Sequence, residues 1–275
     1  MEPIRSTRFI TIRSTYTIPA GQEVQNYNWK ESVRLSVEAF EGFTGWTGDL
    51  SGSYRTWWPH DGDQEDLSRF DQLIPLLQQV PREQIYPPFS TPDLTRFDPT
   101  PGGEKIFLKA PRLIHCRDDE VARRLLGEAK IWEMILRNPH RNLSSYLGCV
   151  VDKGQIVRLA FKAYNKSLSH YYRESTEVFS TQQRIDCMNQ VEAAATHLHS
   201  LGYAHNDISP RNIMFDDDGH AILIDMDCCA PLGSPIQKGG LTTGWKGPMT
   251  EGQKFSTSSA ECDKLAIQGI RDCLF

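Results

Sequence analysis

Tyr203-Ala204-His205-Asn206-Asp207-Ile208-Ser209-Pro210-Arg211-Asn212-Ile213-Met214-Phe215 sets an Asp two residues after a His and five before an Asn, ahead of an apolar run. Ala221-Ile222-Leu223-Ile224-Asp225 ends a second apolar run in another Asp. Between the runs, Asp216-Asp217-Asp218-Gly219 reads as a tight hairpin turn, because Asp-Gly supplies the positive φ angles such turns need. Two short strands therefore deliver Asp207, Asn212 and Asp225 to one end of a hairpin. That arrangement suits phosphoryl transfer: one carboxylate orients a hydroxyl, and an Asn and an Asp hold Mg²⁺. The Asp216–Asp218 run lacks the further ligands and terminal Glu of a calcium loop and reads as a solvated turn.

A chain of 275 residues fits one large domain or two lobes around a cleft. Its 39% apolar and 24% charged residues are ordinary for a soluble globular protein. A formal net charge of −5 and a pI near 5.9 argue against nucleic-acid binding. No apolar run is long enough to span a bilayer, and Met1-Glu2-Pro3-Ile4-Arg5-Ser6 lacks the apolar core of a signal peptide. The expectation is an intracellular protein, cytoplasmic or nuclear, with no membrane and no nucleic-acid partner. The seven cysteines are odd in number and form no Cys-x-x-Cys pair, so small buried thiols are expected, Cys228 and Cys229 included.

Outward from the loop, Thr181 to Leu201 predicts a long helix, with Ile185, Met188, Val191, Ala195 and Leu198 inward and Gly202 ending it. Ser145–Val151 and Gln155–Ala163 read as an antiparallel pair around Asp152-Lys153-Gly154. Asp118 to Arg137 reads as a helix with Val121, Leu125, Ala129, Trp132 and Ile135 on one face and acidic residues at its positive end. Lys105–Lys109 is a short strand. Residues 81–104, rich in Pro, read as a linker or irregular edge. Residues 1–80 form an extension of unknown role. In it, Phe9–Pro19 alternates like a strand, Trp29–Phe43 gives a mixed signal, and Leu67–Ile74 looks helical until Pro75. Trp46, Trp57 and Trp58 read as core or docking residues.

From residue 105 the element order, with His205-Asn206-Asp207 through Asn212 and then Asp225-Met226-Asp227, resembles the eukaryotic protein kinase superfamily. Its catalytic loop is His-Arg-Asp-x-x-x-x-Asn, followed by Asp-Phe-Gly. The resemblance covers roughly two thirds of the chain, and its shortened end is similar to divergent kinase-like proteins of fungi. It implies an α+β, two-lobed fold over 105–275, with a small β-rich N-lobe (about 105–164) and a mainly helical, truncated C-lobe (about 165–275). It implies ATP and Mg²⁺ as cofactors and a protein substrate or binding partner. Asp207 would be the catalytic carboxylate, Asn212 and Asp225 the metal ligands, and Lys109 the phosphate-binding Lys. Glu128, nineteen residues later, would be its ion-pair partner, and the backbone at Lys162, Ala163 and Tyr164 would receive adenine. Asn138–Leu143 and Tyr146-Leu147-Gly148 resemble the turn and strand that follow this helix in kinases. Thr243–Pro248 resembles the end of an activation segment, and Asp263 the buried Asp that fastens the catalytic loop.

The sequence departs from the kinase pattern in several places. No Gly-rich loop precedes Lys109; Pro101-Gly102-Gly103 is a turn abutting the strand. Phe107 replaces a small residue on the adenine side. Asn206 replaces Arg, which speaks against control by a phosphate paired to that Arg. Asp225-Met226-Asp227 replaces Asp-Phe-Gly, and Asp227 lacks the φ freedom of Gly. Ser209 stands where Ser/Thr kinases carry a Lys; Arg211 takes the alternative position used by tyrosine kinases and, by the resemblance, would be the catalytic cation. The leading reading is an atypical ATP-dependent protein kinase acting on a protein hydroxyl, Ser/Thr more than Tyr. One alternative is a pseudokinase binding module whose Trp-rich N-terminal segment forms the partner surface. Another is a small-molecule phosphotransferase of the aminoglycoside or choline kinase type, in which Asp227 is a second metal-facing carboxylate.

Overall fold

The computed structural model describes residues 8–15, 34–51, 70–89, 92–99, 105–113, 120–173, 179–244 and 250–274. Its contacts divide the chain into two compact units: Met1–Phe89, Ala110–Leu125 and Asp152–Val157, and Ser90–Lys109, Leu126–Val151 and Arg158–Phe275.

In the first unit β1 (Arg8–Thr15), β2 (Arg34–Glu41), β3 (Thr44–Ser51) and β4 (Gln78–Val80) form an antiparallel sheet in that order. The mixed signal before Phe43 resolves as strand, because β2 is hydrogen-bonded along its length to β1 and to β3. One face of β2 buries Leu35, Val37 and Ala39 with Ile10, Leu50, Phe70 and Leu73, and Trp46 packs against this cluster. The other face buries Glu38 and Phe40 as well. Burial on both faces removes the polar–apolar alternation by which a strand is recognised. Glu38 lies inside because its carboxylate accepts from Arg112 Nε at 2.7 Å and from the Leu113 N–H at 2.5 Å. The α1 turn (Phe70–Leu73) passes into a 3₁₀ turn at Ile74–Leu76, so Pro75 does end the α-helical stretch. The Pro-rich 81–104 segment holds a short helix, α2 (Arg82–Ile85). Residues 16–19, 29–33 and 67–69, with Trp57 and Trp58, lie outside the described residues.

β5 (Ile106–Lys109), β6 (Tyr146–Asp152) and β7 (Gln155–Lys162) form a sheet with β7 in the middle, and all of it but Asp152–Val157 belongs to the second unit. Six consecutive residues of β7, Ile156–Phe161, are buried, as suits a central strand. The β6–β7 turn has positive φ at both Lys153 (50°) and Gly154 (75°), as a two-residue hairpin requires. The next helix, α3 (Glu120–Arg137), buries Ala129, Trp132 and Ile135 at the expected spacing. The Trp132 ring stacks on Tyr146 at 6.2 Å and meets Phe161 edge-on at 4.9 Å. Asp118 and Asp119 lie outside the described residues.

Beyond the sheet come β8 (Lys166–Ser167), α4 (Leu168–Arg173) and α5 (Thr181–Ser200). Ser180 and Gln183 close a reciprocal capping box on α5, and Gly202, at φ 85°, ends it. Ile185 was expected inward but is 40% exposed; the buried face begins one turn later, at Cys187 and Met188. β9 (Tyr203–Ala204) precedes the loop; β10 (Ile213–Phe215) then pairs with β11 (Ala221–Leu223) and β8. The connection of β10 to β11 is the hairpin expected over Asp216–Gly219, but it closes differently from a turn with several positive φ angles. It runs from Asp216 to His220, and of its residues only Gly219 (81°) has positive φ. The Asp216 carboxylate folds it by accepting from the N–H groups of Asp218 (3.1 Å) and His220 (2.7 Å). β12 (Ala230–Pro231) returns to β9, and β13 (Leu241–Gly244), β14 (Thr250–Lys254) and α6 (Ala260–Leu274) complete the unit. The fold is α+β. No described helix is long and apolar enough to cross a membrane.

Gly148 in β6 has φ 123°, and a Cβ there would stand 2.8 Å from the Phe97 nitrogen and 2.9 Å from the Thr95 oxygen. That backbone is held against β6 by bonds of 2.8 Å, Cys149 N–H to Thr95 O and Phe97 N–H to Cys149 O. Gly148→Ala is expected to cost about 2–3 kcal/mol in urea unfolding. Gly154→Ala meets nothing within 4 Å and should cost only the left-handed strain, about 1–2 kcal/mol. Equal losses would mean that the 94–97 segment does not press on β6.

Candidate active site

Asp263, fully buried near the start of α6, organises the catalytic loop. Its carboxylate accepts from the backbone N–H groups of His205 (2.9 Å) and Asn206 (2.8 Å), and its Oδ2 lies 2.8 Å from His199 Nε2. The role implied for Asp263 by the kinase resemblance is therefore the one its bonds perform. The chain then turns through Asn206 at φ 60°, a left-handed conformation that Asn tolerates better than most residues. The Asn206 Nδ2 donates to Ala204 O (3.0 Å), Cys228 O (3.1 Å) and Ser258 Oγ (3.0 Å). A neutral amide thus ties the loop to the segment after Asp225 and to the residues leading into α6.

Two bonds place Asp225. The His205 Nε2 reaches Ile224 O at 3.0 Å, while the Ile224 N–H donates to Asn212 O at 2.9 Å. Because His205 Nδ1 accepts from the Asp207 N–H at 3.2 Å, Nε2 carries the proton. Ile224 is stitched to both ends of the loop, and Asp225 follows at φ 69°. Met226 is fully buried, as expected of an apolar plug. The concern about Asp227 dissolves. The non-glycine positive φ angles among the described residues fall at Lys153, Asn206 and Asp225, so position 227 does not need glycine.

Around this frame the predicted residues converge. The Lys109 Nζ lies 2.7 Å from Glu128 Oε1 and 2.6 Å from Asp225 Oδ1. Trp132 Nε1 also donates to Glu128, at 3.1 Å. Asn212 Nδ2 donates to Asp207 at its backbone oxygen (2.8 Å) and at Oδ2 (3.1 Å), which leaves Oδ1 as the amide atom for a cation. Burial works against the Lys109 charge, but Glu128 and then Asp225 and Asp227 outweigh it and raise its pKa. Burial lifts the Glu128 carboxyl above its ordinary range, against the pull of Lys109. Asp207 is raised likewise, by burial first, with Asp227 and Asp225 adding to it against His205 and Asn212. Asp227 is held down, to about 2, because Lys109 and Lys238 overcome its burial.

Arg211 is exposed, and no bond ties it to the cluster. Phe107 stands 55% exposed rather than packed into a cavity. Of the three positions expected to receive adenine, the Lys162 N–H donates to Ser145 O (3.0 Å) and the Ala163 N–H to Lys105 O (2.8 Å). Those two donors are already used. Residues 101–103 and 245–248 lie outside the described residues. Two participants carried no motif: Lys238, which pairs with Asp227, and Cys228, whose thiol donates to Asp227 at 3.1 Å. The Lys238-Gly239-Gly240 run was the available signal. Asp216, Asp218 and His220 bring ligand atoms within 4.8 Å of one another, but the Asp216 carboxylate is engaged by the turn described above.

The donor set fits Mg²⁺. Asp207, Asn212 and Asp225 offer oxygen ligands, and the carboxylates of Asp207, Asp225, Asp227 and Glu128 stand against the ammonium groups of Lys109 and Lys238.

The family model described as protein kinase domain matches residues 104–259, more than half of the chain. The chain belongs to the protein kinase domain family. Similar proteins include sperm motility kinase 2B of Mus musculus, 25% identical over 146 residues (50% of this chain, 28% of that protein). Maternal embryonic leucine zipper kinase of Danio rerio is 38% identical over 140 residues (50% and 19%). Serine/threonine-protein kinase UCN of Arabidopsis thaliana is 33% identical over 65 residues (24% and 16%). The chain spans less than a third of the length of these relatives. Among solved structures, a chain of the yeast RNA Pol II CTD kinase CTDK-1 complex aligns at 18% identity with a TM-score of 0.40. The alignment covers 48% of this chain and 41% of that one.

Replacing Lys109 by Met leaves Glu128 buried without its counter-ion, and the cost should be about 3–5 kcal/mol. The cost should also depend on pH. A carboxyl whose folded pKa lies above its unfolded value destabilises the fold as pH rises from the unfolded value through the folded one. Losing Lys109 raises the folded value of Glu128 further. Urea unfolding of Lys109→Met should therefore show a larger deficit at pH 8 than at pH 5; the same deficit at both would remove Glu128 as its source.

Proposed function

We propose that this kinase-family protein is an ATP-dependent protein kinase of atypical sequence. It moves the γ-phosphoryl group of ATP to a protein hydroxyl, Ser/Thr in preference to Tyr. The observation that carries this reading is the Lys109 ammonium held between Glu128 and Asp225 beside the Asp207–Asn212 pair. Asp207 orients the hydroxyl and takes its proton. Lys109 holds the nucleotide phosphates, and Glu128 positions Lys109. Asn212 and Asp225 hold Mg²⁺, which when bound neutralises phosphate charge. The base is received at the Tyr164 end of the 162–164 stretch, since the N–H groups of Lys162 and Ala163 are engaged. Catalysis is alignment and charge neutralisation, so these few side chains carry most of it. The similarity to Ser/Thr kinases supports the protein hydroxyl. An intracellular setting fits the reading, and no disulfide joins the six described cysteines.

One observation favours a second reading, a small-molecule phosphotransferase: Asp227 adds a carboxylate beside Asp225, its N–H donating to Asp225 Oδ1 at 3.3 Å. Offering small hydroxylated metabolites and generic protein substrates side by side separates the two.

Asp207→Ala should lower transfer by at least about 100-fold while nucleotide binding persists. Asp225→Ala should lose the Mg²⁺-dependent part of ATP binding in calorimetry. Undiminished transfer by Asp207→Ala would sink the assignment, and a folded wild-type protein that binds ATP but transfers nothing would be a pseudokinase.

A further inference from the structure

The group in flight during phosphoryl transfer is stabilised by cations placed beside it. The catalytic loop is short of one. Ser209 is neutral and buried, and Arg211 is exposed. Lys238 is exposed as well, with 41% of its side chain accessible, but it pairs with the Asp227 carboxylate, two residues after Asp225.

The backbone that delivers Lys238 is docked on the catalytic loop. Gly239, at φ 84°, passes so close to it that a Cβ would stand 2.7 Å from Asn206 O and 3.0 Å from the Cys228 Cβ. The Gly240 N–H donates to that same Asn206 O at 2.7 Å. Gly240, at φ 73°, has Phe255 O 2.5 Å from where its Cβ would be. Both positions thus require glycine twice over, for conformation and for space. Two consecutive glycines seated against the residue before Asp207 hold the Lys238 backbone in place, and the Asp227 carboxylate holds its ammonium.

We propose that Lys238 is a catalytic cation of this site, contacting the γ-phosphoryl group in place of the lysine absent at position 209, with Asp227 as its holder. The proposal rests on the ATP-dependent reading above. In the transfer the hydroxyl oxygen bonds to the γ-phosphorus, and the bond from that phosphorus to the bridging oxygen of ADP breaks. The bridging electron pair leaves with ADP, and the hydroxyl proton passes to Asp207. Lys238 keeps its protons and offsets charge on the moving group.

The test compares Lys238→Met and Lys238→Arg with wild type in two measurements. The first is calorimetric affinity for ATP and for ADP, each with Mg²⁺; the second is single-turnover transfer. Thermal melting checks that each variant is folded. Lys238→Met should weaken ATP binding by about tenfold or more. It should leave ADP, which lacks the γ-phosphate, within about twofold, and should slow transfer by about 100-fold. Lys238→Arg should keep the preference for ATP over ADP. A merely structural lysine would shift melting and leave the ATP-to-ADP ratio alone, which would overturn the proposal. Faster transfer by Lys238→Met would also overturn it, by making Lys238 a plug on Asp227. If the wild type binds nucleotide but transfers nothing, the ratio still decides. If the folded wild type binds neither nucleotide, the ATP reading fails and takes the proposal with it.

Discussion

The Lys109 ammonium joins carboxylates that the chain brings from α3 and from the segment after β11, and the rest of the site is arranged around that neutralisation. Glu128 is almost wholly buried, and an ion so placed without a partner costs several kcal/mol. With Lys109 in position the cost is offset, but the balance stays incomplete. Four carboxylates face two ammonium groups, and burial raises Glu128 and Asp207 towards protonation. The divalent cation and nucleotide of the proposed reaction would meet that excess of negative charge.

Shape is held by a different set of groups. Asp263 accepts two backbone N–H bonds, and Asn206 donates three side-chain bonds, so the loop conformation is over-determined by short polar contacts. An Arg at position 206 would place a charge there that needs an anion to satisfy it. Asn needs none, and its left-handed backbone is cheaper for a short amide side chain than for most others.

What was legible in the sequence was whatever recurs at fixed spacing. Asp207, Asn212 and Asp225 were readable because the loop and hairpin are local, so order along the chain sets position in space. Lys109 and Glu128 were readable through the resemblance alone, since a strand lysine or a mid-helix glutamate has many commoner roles. The misses have physical causes. β2 hid its strand character because both its faces are buried. The Asp-rich turn closed through the Asp216 carboxylate rather than through two positive-φ residues, a difference that side-chain bonding decides and composition does not. Ile185 has helical periodicity, but it lies before the face of α5 becomes covered. That the N–H groups of Lys162 and Ala163 are taken follows from β5 and the Ser145 backbone, which are distant in sequence. Lys238 had no motif at all; its placement is a tertiary fact, signalled only by the glycines that follow it.

The departures from the family pattern are best understood together. Glycine to aspartate at 227 adds a negative charge to an already acidic cluster, and alone it would raise the cost of keeping Asp207 and Glu128 ionised. The backbone permits the change, because the left-handed residue there is Asp225 and not Asp227. The charge is permitted because Lys238 meets it. Lysine to serine at 209 removes a positive charge from the loop, and Lys238 restores one beside the same carboxylates. One lysine does not offset both changes: the site carries more negative charge than the family pattern, and its cation stands on the segment after β12 instead of in the catalytic loop. The cation on that segment is tied to the loop itself, because the Gly240 N–H donates to Asn206 O and Gly239 packs against the same oxygen.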